Sequence, residues 1–134
     1  MGNPVIDATA FYDFALAGRI NDIPPLLHDE FEFHALPGFP HGGVYRGWPA
    51  VATEFFPALF GDFSSWAAKP TTVVGADGGR VLVIGHYQAG IKGTDEVAEF
   101  PFVHVWDTRD GKLCIARSYT DTAAIQAAVA RGRV

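Results

Sequence analysis

A β-hairpin predicted over residues 100–121 constrains the fold of this chain more than any other segment. Residues 100–106 (FPFVHVW) are aromatic and β-branched, which suits a half-buried, pleated strand. The turn falls in residues 107–112, where the Asp110-Gly111 pair readily adopts the positive φ angles of a tight turn. Residues 113–119 run back as the second strand. We therefore expect a sheet built mainly from antiparallel hairpins.

Two polar residues of this hairpin are not explained by hydrophobic packing. His104 lies between two valines in the first strand, and Asp121 follows the second strand. Burial of either side chain is costly unless the polar group has a hydrogen-bond partner. A conflict between a strand pattern and its polar residues is typical of a functional site, so both residues are candidates.

The spacing of apolar residues predicts four helices. Asp7 is expected to cap the first helix and Gly18 to end it, whereas Pro57 is expected to kink or shorten the third. The predicted helices cover residues 7–17, 20–27, 49–59 and 122–130.

Alternating and β-branched patterns predict five strands. A Pro- and Gly-rich loop is expected at residues 36–43, a connection at 61–70 and a further loop at 90–95. The order of the elements predicts an α+β fold, with helices packed on one face of a curved sheet. The predicted strands cover residues 29–35, 71–75, 81–89, 96–106 and 112–119.

Length and charge narrow the range of functions. A chain of 134 residues fits a single domain, and its 49% of hydrophobic residues can supply a core or an apolar cavity. The net charge is −5 and the ten Lys and Arg residues are scattered along the sequence. We therefore expect no binding to nucleic acid or to an anionic membrane. No apolar run approaches about 18 residues, so no membrane span is expected.

The cysteine content and the first residues bear on the compartment. Cys114 is the one cysteine, so no intrachain disulfide is expected. The first residues (MGNPVIDATAFYDF) lack a basic segment followed by an apolar one, so no secretory signal is predicted. Together these features favour a cytoplasmic protein.

Three motifs taken together resemble the SnoaL-like proteins. They are His34, the stretch LPG…GG-Val44-Tyr45-Arg46-Gly47, and the run His104-Val105-Trp106…Asp110-Gly111-Lys112…Tyr119-Thr120-Asp121-Thr122. SnoaL-like proteins form part of the nuclear-transport-factor-two-like superfamily, with ketosteroid isomerase, limonene epoxide hydrolase and scytalone dehydratase. The resemblance runs from Phe11 to about Ala128, within a single domain expected over residues 1–134.

This resemblance implies a fold and a mode of action. The fold would be a cystatin-like α+β barrel, in which a mixed, mainly antiparallel sheet and three helices form a cone around an apolar pocket. The partners would be a small apolar molecule and a second copy of the chain, giving a homodimer through the open face of the sheet. Enzymes of this superfamily usually work by general acid–base catalysis and need no metal or organic cofactor.

The resemblance also suggests roles for individual residues. Asp121 matches the acid–base aspartate near the end of the last strand in polyketide cyclases. The Arg-x-Asp pair of limonene epoxide hydrolase is replaced by His86-Tyr87-Gln88. The tyrosine and two aspartates of ketosteroid isomerase are also missing, since their nearest counterparts are Phe11, Ala35 and Val103. The histidines that scytalone dehydratase pairs with an aspartate suggest His86 and His104.

Each catalytic candidate has a structural alternative. Asp121 is either an acid–base group or the N-cap of the last helix. His104 either belongs to an aromatic pocket wall or is a satisfied structural histidine. His86, which shares its strand face with Leu82 and Ile84, lies either in the pocket or on its rim. His34 ends the first strand and is a fourth candidate.

The substrate-binding candidates are aromatic or amide side chains expected near the pocket. No HxH, HxxxH or HExxH spacing is present, so we predict no metal site. The predicted substrate-binding residues are Tyr45, Trp106, Tyr119, Gln88, Phe56 and Trp66.

Two functions are consistent with these patterns. In the first, an enzyme isomerises, cyclises or dehydrates a small apolar oxygenated molecule, such as a polyketide or a terpenoid-like carbonyl compound. Asp121 would move the proton, and His104, with His86 or His34, would polarise the carbonyl oxygen. In the second, the same domain binds a hydrophobic ligand or mediates dimerisation without catalysis.

Overall fold

A six-stranded sheet is the framework of the computed structural model, which describes residues 3–133. The strands lie in the order β2-β1-β6-β5-β4-β3, and every neighbouring pair is antiparallel except β1 and β6. The sheet is curved and unclosed. Together with the helices, these strand directions confirm the predicted α+β fold with a mixed, mainly antiparallel sheet. The strands are β1 (Leu27–Ala35), β2 (Gly43–Arg46), β3 (Ser65–Ala76), β4 (Arg80–Gly90), β5 (Val97–Arg109) and β6 (Lys112–Thr120).

Helices cover the concave face of this sheet. A π-helical turn, Val51–Phe55, joins α2 to α3, so residues 48–62 form one continuous helical segment. Within residues 3–133, no helix is both long and apolar enough to cross a membrane. The helices are α1 (Pro4–Leu16), α2 (Trp48–Ala50), α3 (Phe56–Asp62) and α4 (Thr122–Gly132).

The central hairpin of β5 and β6 is confirmed. Asp110 and Gly111 form its turn with φ angles of 53° and 76°. His104 is directly opposite Ser118 in the register, and Trp106 is opposite Ala116. Because opposite residues of an antiparallel pair share a face, all four side chains lie on the concave side of the sheet.

The structure has strand residues in two regions where the sequence patterns predicted none. Residues 61–70 were expected to be a connection, but β3 begins at Ser65 and pairs along β4 as far as Ala76. Pro70 breaks the sequence signal, and an edge strand tolerates it beside the register shift between Pro70 and Thr72. The four-residue strand β2, also at an edge, is too short to give an alternating pattern.

The helix predictions need three corrections. Asn3, not Asp7, caps α1, because its side-chain oxygen accepts from the amides of Val5 and Ile6 at 3.0 and 3.3 Å. Residues 20–27 form two 3₁₀ turns and the start of β1, since a proline pair at 24 and 25 removes two backbone donors. Pro57 does not shorten the third helix, which continues to Asp62, and a π-helical turn just before Pro57 interrupts the α-helical pattern.

Strand alternation separates the core from the outer face of the sheet. On β4, Val83, Tyr87 and Ala89 are buried, whereas Ile84 is 48% exposed. Gly85 lies in the inward row, and a Cβ atom there would come within 2.3 Å of the Lys69 carbonyl oxygen. A glycine is therefore required where β3 and Phe102 approach β4 closely.

Candidate functional site

A cavity of about 170 Å³ lies between the concave face of the sheet and the helical segments α1, α2 and α3 with their π-helical turn. Most of its lining is aromatic or aliphatic. Leu16 and Phe60 belong to this lining and are 48% and 50% exposed, so they mark its opening to solvent. The aromatic part of the lining includes Phe11, Phe33, Phe39, Trp48, Phe55 and Trp66.

One wall of the cavity carries a buried polar group, the imidazole of His104. The Tyr12 hydroxyl lies 2.6 Å from Nδ1 of His104, and the Tyr87 hydroxyl lies 2.6 Å from its Nε2. Both nitrogens of the ring are therefore hydrogen-bonded to phenols. All three residues line the cavity.

Two further side chains extend this hydrogen-bond chain at its ends. The indole Nε1–H of Trp106 donates to the Tyr12 oxygen at 3.0 Å. The hydroxyls of Tyr87 and Ser118 are 2.8 Å apart. Phe102 stacks on the His104 ring with a centroid distance of 4.0 Å. The imidazole is thus fixed in both position and orientation.

Burial sets the charge state of the three ionisable side chains in this hydrogen-bond chain. Desolvation lowers the pKa of His104 to about 3, because the imidazolium cation is disfavoured away from water. Burial raises the pKa of Tyr12 well above its ordinary value, and it also raises that of Tyr87. All three groups are therefore neutral near pH 7. A neutral imidazole has one N–H and one lone pair, so the two tyrosines must play opposite roles toward it.

Each of these residues lies on the face of its own helix or strand that points toward the core. Tyr12 follows Ala8 by four positions on α1, and both are buried against the sheet. Tyr87 lies in the inward row of β4. His104 is directly opposite Val83 on one side and Ser118 on the other.

The structure brings four of the ten predicted site residues to the cavity. His104, Trp106, Phe56 and Trp66 are all part of its lining. The other six do not belong to the lining.

Asp121 is the N-cap of α4. Its carboxylate accepts a hydrogen bond from the Ala124 amide at 3.0 Å, and the residue is exposed. This geometry favours the capping alternative. The acid–base role of Asp121 stays a prediction.

The two histidines expected to assist His104 lie on the opposite face of the sheet. His86 is opposite Pro101 in the β4–β5 register, beside the inward-facing Tyr87. His34 bonds the neighbouring Glu32 carboxylate at 2.8 Å. Both placements follow from the strand period of two, because one register assigns every second side chain to the outer face.

Three predicted binding residues are also away from the cavity. Gln88 donates to Glu99 at 3.1 Å, and Tyr119 is 45% exposed on the outer face. Tyr45 packs its ring on Phe55 at 5.0 Å and donates its hydroxyl to the backbone carbonyl of His41. Of these three, Tyr45 comes nearest to the cavity, through its contact with a lining residue.

Tyr12, Tyr87 and Ser118 were not predicted as site residues. The available signal for Tyr87 was its parity with Val83 and Ala89, which marks the buried row of β4. Tyr12 shares a helical face with Ala8, which gives a weaker signal. Nothing in the sequence pattern alone indicates that both tyrosines meet one histidine.

The cavity suits a neutral ligand. Among its described lining residues there is no Asp, Glu, Lys or Arg. A charged ligand would therefore lose its hydration without gaining an ion pair. In residues 3–133, no three His, Cys, Asp or Glu side chains cluster closely enough to hold a metal ion.

Comparison with known proteins identifies similar domains. The family model described as SnoaL-like domain matches residues 8–115. No curated protein sequence matches the chain.

Three solved structures illustrate the similarity of the fold. An NTF2-like protein from Burkholderia thailandensis E264 superposes with a TM-score of 0.86 at 22% identity, covering 96% of this chain and 98% of that chain. An NTF2-like protein of unknown function from Burkholderia pseudomallei K96243 gives 0.83 at 18% identity, covering 96% and 98%. TerC, co-crystallised with polyporic acid, gives 0.81 at 24% identity, covering 95% and 98%. At these identities the likeness shows the fold alone.

Proposed function

Because this chain belongs to the SnoaL-like domain family, we propose that it is an acid–base enzyme for a small, neutral, apolar oxygenated molecule. The supporting observation is the Tyr12–His104–Tyr87 chain in the wall of an otherwise apolar cavity. The reaction would be an isomerisation, cyclisation or dehydration through an enol. As the family resemblance implies, it would use no metal or organic cofactor.

The size of the cavity limits the ligand. A protein cavity of about 150 Å³ lined by apolar side chains can hold a benzene molecule. The cavity here, of about 170 Å³, therefore fits a single aromatic ring or a compact polyketide or terpenoid fragment. A longer substrate would extend between Leu16 and Phe60. TerC, a protein of the same fold, was co-crystallised with polyporic acid, which supports a role in holding small molecules.

The Tyr12 hydroxyl is the proposed donor to the carbonyl oxygen of the substrate. Its own oxygen accepts from the Trp106 indole, which strengthens it as a donor. In a largely apolar cavity, a fixed donor stabilises the negative charge that develops on an enolate oxygen. The α-proton would leave to water at the opening between Leu16 and Phe60, since the described lining holds no carboxylate to take it. His104 positions this hydroxyl and stays neutral while doing so.

A non-catalytic binding module is the second candidate. It is favoured by the lack of a carboxylate base among the described lining residues and by the capping position of Asp121. The two functions share the cavity and differ in whether the bound molecule is changed.

Mass spectrometry of the natively purified protein can separate the two functions. Wild type, Tyr12→Phe and the control Tyr119→Phe would be compared for co-purifying molecules. The control removes a hydroxyl from the outer face of the sheet and keeps the aromatic ring that the proposed dimer would cover. The enzyme proposal expects an apolar molecule that wild type and Tyr119→Phe convert and that Tyr12→Phe retains unchanged. Unchanged retention by all three proteins would instead support the binding module.

A homodimer through the outer face of the sheet is also proposed. Five apolar or aromatic side chains on this face are each 38–48% exposed. A second copy would remove this surface from water. Light scattering should report a dimer for wild type and a monomer for Ile84→Glu; a monomeric wild type would contradict the proposal. The five residues are Val44, Val74, Ile84, Val103 and Tyr119.

A further inference from the structure

The hydrogen-bond chain around His104 is compatible with two directions of donation. Each tyrosine hydroxyl has one proton, and the neutral imidazole has one N–H. The two distances of 2.6 Å to Nδ1 and Nε2 fit either nitrogen as the donor. The contact between Tyr87 and Ser118 also fits either hydroxyl as the donor.

In the first direction, called the inward order, the proton of Tyr12 is used inside the protein. Tyr12 donates to Nδ1, the Nε2–H of His104 donates to the Tyr87 oxygen, and Tyr87 donates to Ser118. The Tyr12 oxygen accepts from Trp106 and keeps room for one more donor from the cavity.

In the second direction, called the outward order, every bond along the chain is reversed. Ser118 donates to the Tyr87 oxygen, Tyr87 donates to Nε2, and the Nδ1–H of His104 donates to the Tyr12 oxygen. Tyr12 then has its proton free to donate into the cavity. The change breaks the Nε2–H bond and forms an Nδ1–H bond: one proton leaves the ring to water by way of Tyr87 and Ser118, and one enters from water by way of Tyr12. The hydroxyls rotate to match, so the four side chains carry the same number of protons and the same charge in both orders.

Without a bound ligand, the inward order has the lower free energy. In the outward order the Tyr12 proton would face a lining that is almost entirely apolar, and an unsatisfied buried donor is costly. A ligand with an acceptor oxygen would remove this cost. A ligand with a hydroxyl would instead donate to the Tyr12 oxygen and match the inward order.

We propose that the hydrogen-bond chain Tyr12–His104–Tyr87–Ser118 is a ligand-selected switch. A carbonyl ligand selects the outward order, and a hydroxyl ligand selects the inward order. This inference rests on the proposed function, because it needs a ligand oxygen beside Tyr12. It names the substrate class as a neutral compound with interconvertible carbonyl and enol or phenol forms. One site can then bind both forms with a complementary hydrogen bond.

The tautomer of His104 is the direct readout. Two-bond ¹H–¹⁵N spectra of ¹⁵N-labelled protein distinguish protonation at Nδ1 from protonation at Nε2. We expect the Nε2–H form in the free protein and with phenol, and the Nδ1–H form with acetophenone. If both probes bind in the cavity and leave one tautomer, the switch is wrong while the proposed binding site stands. If neither probe binds, the proposed function and the switch both fail.

Ser118→Ala provides a second test, because it removes the acceptor that the inward order needs for Tyr87. The affinity ratio of acetophenone to phenol should rise about threefold to tenfold, the usual size of one hydrogen bond. Thr120→Ala is the matched control on the same strand. The Thr120 hydroxyl donates to the Pro101 carbonyl and takes no part in the hydrogen-bond chain around His104. An equal loss of both affinities in Ser118→Ala would show a structural role only and would overturn the switch.

Discussion

The Tyr12 hydroxyl lies 2.6 Å from Nδ1 of His104, although the two residues are 92 positions apart in the chain. This contact joins α1 to the centre of β5 and places a polar group in an aromatic wall. It depends on tertiary packing, because α1 must cross the concave face of the sheet with Tyr12 next to His104 for the phenol to reach the imidazole. The contact therefore links the stability of the fold to the chemistry of the cavity.

Removal of the imidazole should destabilise the protein strongly. His104→Ala leaves a void and deprives two buried tyrosines of a partner, so we expect a loss of about 3 kcal/mol in the free energy of unfolding. His86→Ala, on the outer face, should cost less than about 1 kcal/mol. Urea unfolding of the two variants measures the difference; equal losses would contradict the central position of His104.

Acid should destabilise the protein through the same histidine. The pKa of His104 is lowered to about 3 in the folded state, against about 6.5 in the unfolded chain, so the unfolded state binds the extra proton first. Stability from this group is fully present above about pH 6.5 and falls by up to about 1.4 kcal/mol per pH unit toward pH 3.

His104→Gln provides the control for this pH dependence. The variant lacks the titrating ring, so its unfolding free energy should fall less steeply than that of wild type between pH 6 and pH 4. Parallel pH profiles for the two proteins would show that folding does not lower the pKa of His104.

Asp121 can be tested as a cap and as a base with two variants. Asparagine caps helices as well as aspartate does, so Asp121→Asn should keep both stability and turnover. Asp121→Ala should lose about 1 kcal/mol of stability, because the Ala124 amide loses its acceptor. A stable Asp121→Asn protein that no longer converts the substrate would restore the acid–base role predicted for this residue.

A substitution can occupy part of the cavity while the hydrogen-bond chain around His104 is left unchanged. Ala68 lines the cavity from β3, and a larger side chain there would occupy part of its 170 Å³. Ala68→Leu should weaken ligand binding at least tenfold and change stability by no more than about 2 kcal/mol. Ala98→Leu, at a half-buried position of β5 that does not belong to the lining, should bind as wild type does. Equal binding by both variants would place the ligand elsewhere.

Sequence patterns predicted the hairpins well because turns and alternation are local signals. The Asp110-Gly111 turn and the strands beside it are confirmed within a few residues. The start of β3 was missed, because Pro70 and small residues interrupt the alternation at a sheet edge. The helical segment from Trp48 to Asp62 was predicted as a helix over residues 49–59 that Pro57 would kink or shorten. Its π-helical turn was not predicted, because such a turn has no distinct composition.

The candidate site was predicted only in part because its chemistry depends on which face each strand presents. His104, Trp106, Phe56 and Trp66 line the cavity as expected. His86 was chosen over Tyr87, its neighbour, and a shift of one residue moves a side chain to the opposite face of the sheet. Side-chain alternation along β4 places Tyr87 in the cavity and His86 on the outer face of the sheet.

Titration of wild type and Tyr12→Phe with acetophenone tests the central claim most directly. The claim is that the cavity holds a neutral carbonyl compound through the Tyr12 hydroxyl. It predicts saturable one-to-one binding to wild type and to Tyr119→Phe, and an affinity about tenfold lower for Tyr12→Phe. Equal affinity of wild type and Tyr12→Phe, or no binding to any of the three proteins, would contradict it.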